Sequence, residues 1–138
     1  GGSGISLLSD GRTQSPVMNR HVISAVLLLS ACLPVYAAGD AAHGEQLYES
    51  RCIACHSLDA NRVGPMHHGV FGRKAGSVPD FDYSPAVKKS KIVWNEKTLD
   101  QWLANPEKLI PGQKMSFQVP DAADRADLIA FLKRESGK

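Results

Sequence analysis

Five consecutive residues, Cys52-Ile53-Ala54-Cys55-His56, constrain this chain more than any other feature. A C-x-x-C-H run is the attachment pattern of a c-type haem. Two thiols one turn apart at a helix end can each form a thioether to one haem vinyl group, and the next residue offers an imidazole nitrogen to the iron. Such a chain folds around a large rigid group, so its core is shared between side chains and cofactor. Three other uses of the pattern stay open at this point. A thioredoxin-like redox disulfide wants a βαβ setting. A zinc site wants a second Cys/His pair at ligand spacing. A plain structural disulfide wants nothing more.

The front of the chain reads as a targeting segment. Met18 is followed by Asn19, Arg20 and His21, then by a mostly apolar run from Val22 to Leu33, then by Pro34 and Val35-Tyr36-Ala37. A short basic region, a short apolar stretch and small residues at a cleavage position form the layout of a secretory signal peptide. The apolar run is too short to span a bilayer comfortably, and a buried core helix is the competing reading. Leu29-Ser30-Ala31-Cys32 also resembles the box before a lipidated cysteine, and an acylated Cys32 would tie the protein to a membrane. Residues 1–17 are rich in Gly and Ser and are expected to be a cloning remnant or an over-extended start. The expected organisation is therefore 1–17 extraneous, 18–38 signal peptide and 39–138 the folded domain, exported to the periplasm. That domain carries 14 Lys plus Arg against 13 Asp plus Glu. So even a balance argues against nucleic acid as a partner. A domain this small buries a limited core and commonly relies on a metal, disulfide or cofactor.

Three segments read as helices. Asp40 can cap the first, with Gly44, Leu47, Tyr48 and Arg51 at helical spacing. Asn95 can cap the second, which holds Leu99, Trp102 and Leu103 and ends before Pro106. Asp121 can cap the third, Ala122 to Glu135, with Leu128, Ile129, Phe131 and Leu132 as its apolar stripe. Ser57 to Val93 and Pro106 to Pro120 read as loops. So much loop in a small domain makes sense if it wraps something large and rigid. The expected fold is all-α, three main helices plus long loops wrapped around one covalent haem.

Iron held by His56 needs a sixth ligand or an open site. Met115 is the candidate, because Pro111 and Gly112 keep its segment out of a helix and let a loop carry the thioether across the haem. Core packing is the competing role for a single Met. Met66, His67 and His68 are rivals that follow His56 too closely to cross easily to the other face.

With these motifs in order, the chain resembles class I cytochrome c, of the mitochondrial and bacterial c2 kind, from about Gly39 to Lys138. The resemblance rests on Cys52 to His56, Gly64-Pro65, His68-Gly69-Val70-Phe71-Gly72-Arg73-Lys74-Ala75-Gly76, Tyr83-Ser84, Ile92-Val93-Trp94, Asn105-Pro106, Ile110 to Met115, and Asp127 to Leu132. It implies one haem c bound through Cys52 and Cys55, with His56 and Met115 as axial ligands. It implies a hydrogen bond from His56 to the Pro65 carbonyl, and haem propionate contacts from Arg73, Tyr83 and Trp94. Trp102 would lie close to the Met ligand, where the family commonly has Tyr. Gly44 and Tyr48 would pack against Leu128 and Phe131. Core packing for Trp94 and a solvated charge for Arg73 are the plainer readings. The chain departs from the family at Val87, Trp102 and Gln113, in the short loop from His56 to Pro65, and by one residue after Phe117.

The implied role is one-electron transfer by an exported, monomeric carrier and not an enzyme, with redox partners such as a quinol–cytochrome c reductase and a terminal oxidase. Lys74, Lys88, Lys89, Lys91, Lys108 and Lys114 fall in loops expected near the haem edge and would steer acidic partners; a merely solvated surface is the alternative. Two further readings stand beside this one. A labile Met bond would allow peroxidase chemistry or gas binding, and a lipidated Cys32 would make the chain an anchored subunit of an oxidoreductase complex.

Overall fold

Each long helix begins at a side chain able to satisfy its orphan N–H groups. Asp40 accepts from the backbone of Ala42 and His43 at 2.8 and 3.2 Å and opens α1, Ala41–Arg51. Asn95 and Thr98 form a reciprocal capping box at the start of α3, Glu96–Ala104. Asp121 accepts from Asp124 at 2.9 Å and opens α5, Ala122–Ser136. These are the three helices read from the sequence. The loop reading of the connections needs correction in two places. Ser84 caps a short helix, α2, Pro85–Lys89, and Asn105 caps another, α4, Pro106–Leu109. In both a proline sits in the first turn, where its missing N–H costs nothing. Pro106 therefore ends α3 and also starts the next turn.

The structure is a computed structural model that describes Gly11 and residues 38–137. The contact pattern divides the chain into Gly1–Pro34 and Val35–Lys138, and every element named here belongs to the second unit. The expected signal peptide up to Ala37 and the candidate lipidation site Cys32 lie outside the described residues. Among the described residues no helix is long and apolar enough to cross a membrane. The fold is all-α. In place of strands, the described residues show one antiparallel bridge, between Lys74 and Val93. Its hydrogen bonds, Ala75 N–H to Ile92 O at 2.8 Å and Trp94 N–H to Arg73 O at 2.9 Å, set Arg73 and Trp94 side by side.

Helices α1 and α5 approach at Gly44. A Cβ there would lie 2.0 Å from the Asp127 carbonyl oxygen and 3.0 Å from Cβ of Phe131. One turn on, the rings of Tyr48 and Phe131 meet at 5.0 Å between centroids. Around this crossing Leu47, Tyr48, Leu99, Leu128, Ile129, Phe131 and Leu132 are buried and form one core with Val70, Trp94, Ile110 and Val119.

A polar clasp closes the same crossing at its rim. The Asp127 carboxylate accepts from the Asp40 backbone at 2.6 Å and meets His43 Nδ1 at 2.7 Å. The hydrogen bond to Asp127 raises the His43 pKa above its ordinary value near 6.5, and the same bond lowers that of Asp127 below 3.8. A raised His pKa stabilises the fold fully below about 6.5, and that contribution fades as pH rises through the folded value. A lowered Asp pKa stabilises above about 3.8 and fades as pH falls through its folded value. The clasp should thus act most strongly between about pH 4 and 6.5. Urea unfolding of the wild type and of His43→Asn should differ most near pH 5.5, and the difference should shrink as pH rises above 6.5; a pH-independent difference would mean the charge plays no part.

Candidate functional site

The C-x-x-C-H run begins where α1 stops. Cys52 N–H still bonds to Tyr48 O at 2.8 Å, and the next turn tightens, with His56 N–H on Cys52 O at 2.9 Å and Cys55 N–H on the same oxygen at 3.1 Å. This turn puts Cys52, Cys55 and His56 on the wall of one cavity of ≈ 550 Å³. Cys52 and Cys55 are not joined in a disulfide. Burial, assisted by neighbouring Cys55, pushes the Cys52 thiol up to about 11. A redox dithiol works through a depressed thiol pKa, so this site is built the opposite way. Among the described residues, no group of three His, Cys, Asp or Glu side chains is placed to hold a metal ion.

His56 is fixed by what surrounds it. Its Nδ1 lies 2.9 Å from the Pro65 carbonyl. A carbonyl only accepts, so Nδ1 carries the proton and Nε2 keeps a free lone pair. Desolvation lowers the His56 pKa and the bond to Pro65 opposes that shift, the net effect favouring the neutral ring. Neutral imidazole with one nitrogen committed to a backbone acceptor is the standard arrangement of a metal-binding histidine. Gly64 makes it possible: a Cβ there would fall 2.1 Å from Cε1 of the ring.

Met115 lines the same cavity, brought there by the loop after α4. Gly112, at φ +89°, turns that loop. Its N–H bonds to the Glu107 carboxylate at 3.0 Å, and Gln113 Nε2 donates to the same carboxylate at 3.2 Å. The Gln113 side-chain oxygen in turn accepts from the Met115 backbone. Gln113, a departure from the family pattern, thus braces the methionine from outside the cavity.

The remaining walls are largely apolar: Val70, Val87, Leu99, Trp102, Leu103 and Leu132. Val87, the second departure, supplies a plain hydrocarbon surface. Trp102 sits on this wall with its ring 5.3 Å from that of Trp94. Arg73, Tyr83 and Trp94 bring polar groups to an otherwise apolar cavity. Arg73 also reaches the carbonyls of His68 at 2.9 Å and Met66 at 2.8 Å, and Tyr83 OH accepts from Val78 N–H at 3.3 Å. The Trp94 indole N–H makes no hydrogen bond among the described residues. A flat apolar group with anionic tails fits this lining: hydrocarbon on the walls, thiols at one edge, a bare imidazole nitrogen and a thioether inside, and N–H and O–H donors for the tails.

The family model described as Cytochrome c matches residues 41–135. The chain belongs to the cytochrome c family. With membership comes one haem c bound covalently through the cysteines, and a role in carrying electrons rather than in catalysis. Relatives of this cytochrome are spread across organisms. It is 44% identical to Cytochrome c type-1 of Ascaris suum over 109 residues, covering 77% of this chain and 97% of that one. It is 44% identical to Cytochrome c2 of Rhodomicrobium vannielii over 121 residues, covering 85% and 94%. Among solved structures, cytochrome cH from Methylobacterium extorquens superposes with a TM-score of 0.67 at 45% identity, covering 70% of this chain and 99% of that one.

All nine residues expected at the haem of this cytochrome, Cys52, Cys55, His56, Pro65, Arg73, Tyr83, Trp94, Trp102 and Met115, line this one cavity, with Cys55 the exposed one of the two cysteines. Of the rival ligands, Met66 and His68 are absent from the lining, and His67 stacks on His56 at 4.0 Å between ring centroids, on the same side. Three contributors escaped the sequence reading. Glu107 was not singled out, although it holds Gly112 and Gln113. Asn61 ties two loops together, donating to Pro79 O at 3.1 Å and accepting from Met66 N–H at 3.0 Å. His67 read as a rival ligand. For none of them did local sequence carry a signal, since each acts on a segment it meets only through folding.

Proposed function

We propose that this cytochrome is an exported, monomeric carrier that moves single electrons between a quinol–cytochrome c reductase and a terminal oxidase in the periplasm, with His56 and Met115 as its axial ligands. The observation that carries this reading is the pairing, in one cavity, of an imidazole whose Nε2 is left bare and a braced methionine thioether. Haem c supplies the ferric/ferrous couple. Pro65 holds the His56 ring in one tautomer and orientation. The Glu107–Gln113 brace holds the Met115 backbone, and a soft thioether opposite an imidazole raises the reduction potential. Val70, Val87, Leu99 and Leu132 keep water away, so little reorganisation accompanies the change of charge. Arg73, Tyr83 and Trp94 would hold the propionates, whose burial without partners would be costly.

The mouth suits brief encounters. Val63 and Phe117, 78% and 41% exposed, line the cavity next to Lys114. Lys74 and Lys91 are exposed on loops, Lys88 and Lys89 on α2, and Lys108 on α4. Asp82 meets Lys88 and Lys114 only at 3.7 Å each, at an exposed site where such pairs contribute little. A small apolar rim with exposed lysines beside it favours fast, weakly bound, charge-steered docking. Electron-transfer rates with an acidic partner should fall several-fold as salt rises from about 0.01 to 0.15 M, since the screening length shrinks from about 30 to 8 Å; flat rates would remove the steering role.

The reading as a whole is tested by the visible spectrum of the purified haem protein, oxidised and then reduced. Sharp low-spin bands on reduction, with the weak far-red band of a thioether ligand when oxidised, are expected. The far-red band should vanish in Met115→Ala. High-spin bands in the wild type that shift with carbon monoxide would overturn His/Met ligation.

A further inference from the structure

We propose that His67 is a positioning residue for the axial imidazole of His56, and that it couples the α1–α5 interface to the iron. The inference rests on His56 being the proximal ligand. The two imidazoles are stacked, 4.0 Å apart and 20° from parallel. His67 is itself held on several sides. Its Nδ1 lies 3.2 Å from the Tyr48 hydroxyl, and the Tyr48 ring stands edge-on to it at 5.7 Å. Its backbone N–H donates to Ser57 O at 2.9 Å. The peptides on either side are clamped by Arg73, through the carbonyls of Met66 and His68, and by Asn61, through Met66 N–H. The Tyr48 hydroxyl thus holds the imidazole itself, and the other bonds fix the backbone that carries it.

The consequences are two. A ring fixed against the ligand face restricts twisting of His56 about its own axis, a freedom that the single bond to Pro65 leaves open. A neutral π face also lies next to an imidazole that becomes more electron-poor when the iron it binds is oxidised, so the stack favours the oxidised state. Tyr48, packed on Phe131 of α5 at 5.0 Å, transmits the helix crossing to this stack.

The experiment uses the haem-loaded protein with His67→Leu, His67→Phe and Tyr48→Phe, measuring midpoint potential and the ferric electron paramagnetic resonance spectrum. His67→Leu should raise the potential and shift the g-values while the low-spin optical spectrum persists. His67→Phe keeps a stacked ring and should stay near wild type. Tyr48→Phe should move both readouts in the direction of His67→Leu, by less. Wild-type potential and g-values in His67→Leu overturn the inference. If that variant fails to take up haem, wild-type values in Tyr48→Phe overturn it instead. A wild-type protein without a low-spin histidine-ligated spectrum would mark failure of the functional reading, whereas a normal wild type with unresponsive variants marks failure of this inference alone.

Discussion

Replacing Gly64 with alanine is expected to dislodge His56, the proposed proximal ligand. The added Cβ would stand 2.1 Å from Cε1, 2.5 Å from Nδ1 and 2.6 Å from Nε2 of His56, well inside van der Waals contact. One of two things must give. Either the ring moves and loses its 2.9 Å bond to Pro65, or the loop opens and loses Gly64 N–H to Cys55 O and Arg62 N–H to Gly64 O, both at 2.9 Å. Overpacking at a close contact costs about 1–3 kcal/mol and each lost hydrogen bond about 1 kcal/mol more. A destabilisation of about 2–4 kcal/mol is the expected sum, together with weakened low-spin bands. Urea unfolding followed at the main haem band reads both. A variant with wild-type midpoint and spectrum would show that the backbone yields without disturbing the ligand.

The second large effect is expected at Gly44. On an isolated helix, Gly→Ala is stabilising by about 1 kcal/mol, so helix propensity alone predicts a firmer α1. The tertiary contact predicts the reverse, because the new Cβ would sit 2.0 Å from the Asp127 carbonyl oxygen and 2.5 Å from its carbon. These are backbone atoms inside α5 and cannot swing aside as the tip of a side chain would. The two helices must separate, loosening the contact of Tyr48 with Phe131 and uncovering Leu128. The contact should win by a wide margin, with a net loss of about 2–4 kcal/mol. For a domain near 100 residues each kcal/mol shifts the melting temperature by roughly 4–8 °C, so a drop of about 10–20 °C is expected. A melting temperature at or above wild type would mean that propensity prevails and the helices can slide apart without loss.

The three long helices were legible because their causes are local. Asp40, Asn95 and Asp121 each cap a helix whose first N–H groups lie two or three residues away. The short helices α2 and α4 were missed because four or five residues carry no readable periodicity. Their caps, Ser84 and Asn105, and the prolines that follow would have been the signal. Trp102 was placed in its helix by apolar spacing, but its position beside Trp94 required the fold.

The residues proposed as ligands were likewise picked out from short motifs. Cys52, Cys55 and His56 are consecutive in function because one turn of chain presents all three. Pro111 and Gly112 mark Met115 as lying on a loop. What lay beyond sequence was how distant segments bear on those ligands: Gly64 pressed to the His56 ring, Glu107 bracing the methionine loop, Asn61 tying Met66 to Pro79, and His67 stacked behind the ligand when it had read as a competitor for the iron. Capping, turn chemistry and haem attachment depend on residues within a few positions of one another, so the order of residues contains them. Ring stacking, helix approach and bracing depend on separations of ångströms between segments remote in the chain, and those are set only when the whole core packs at once.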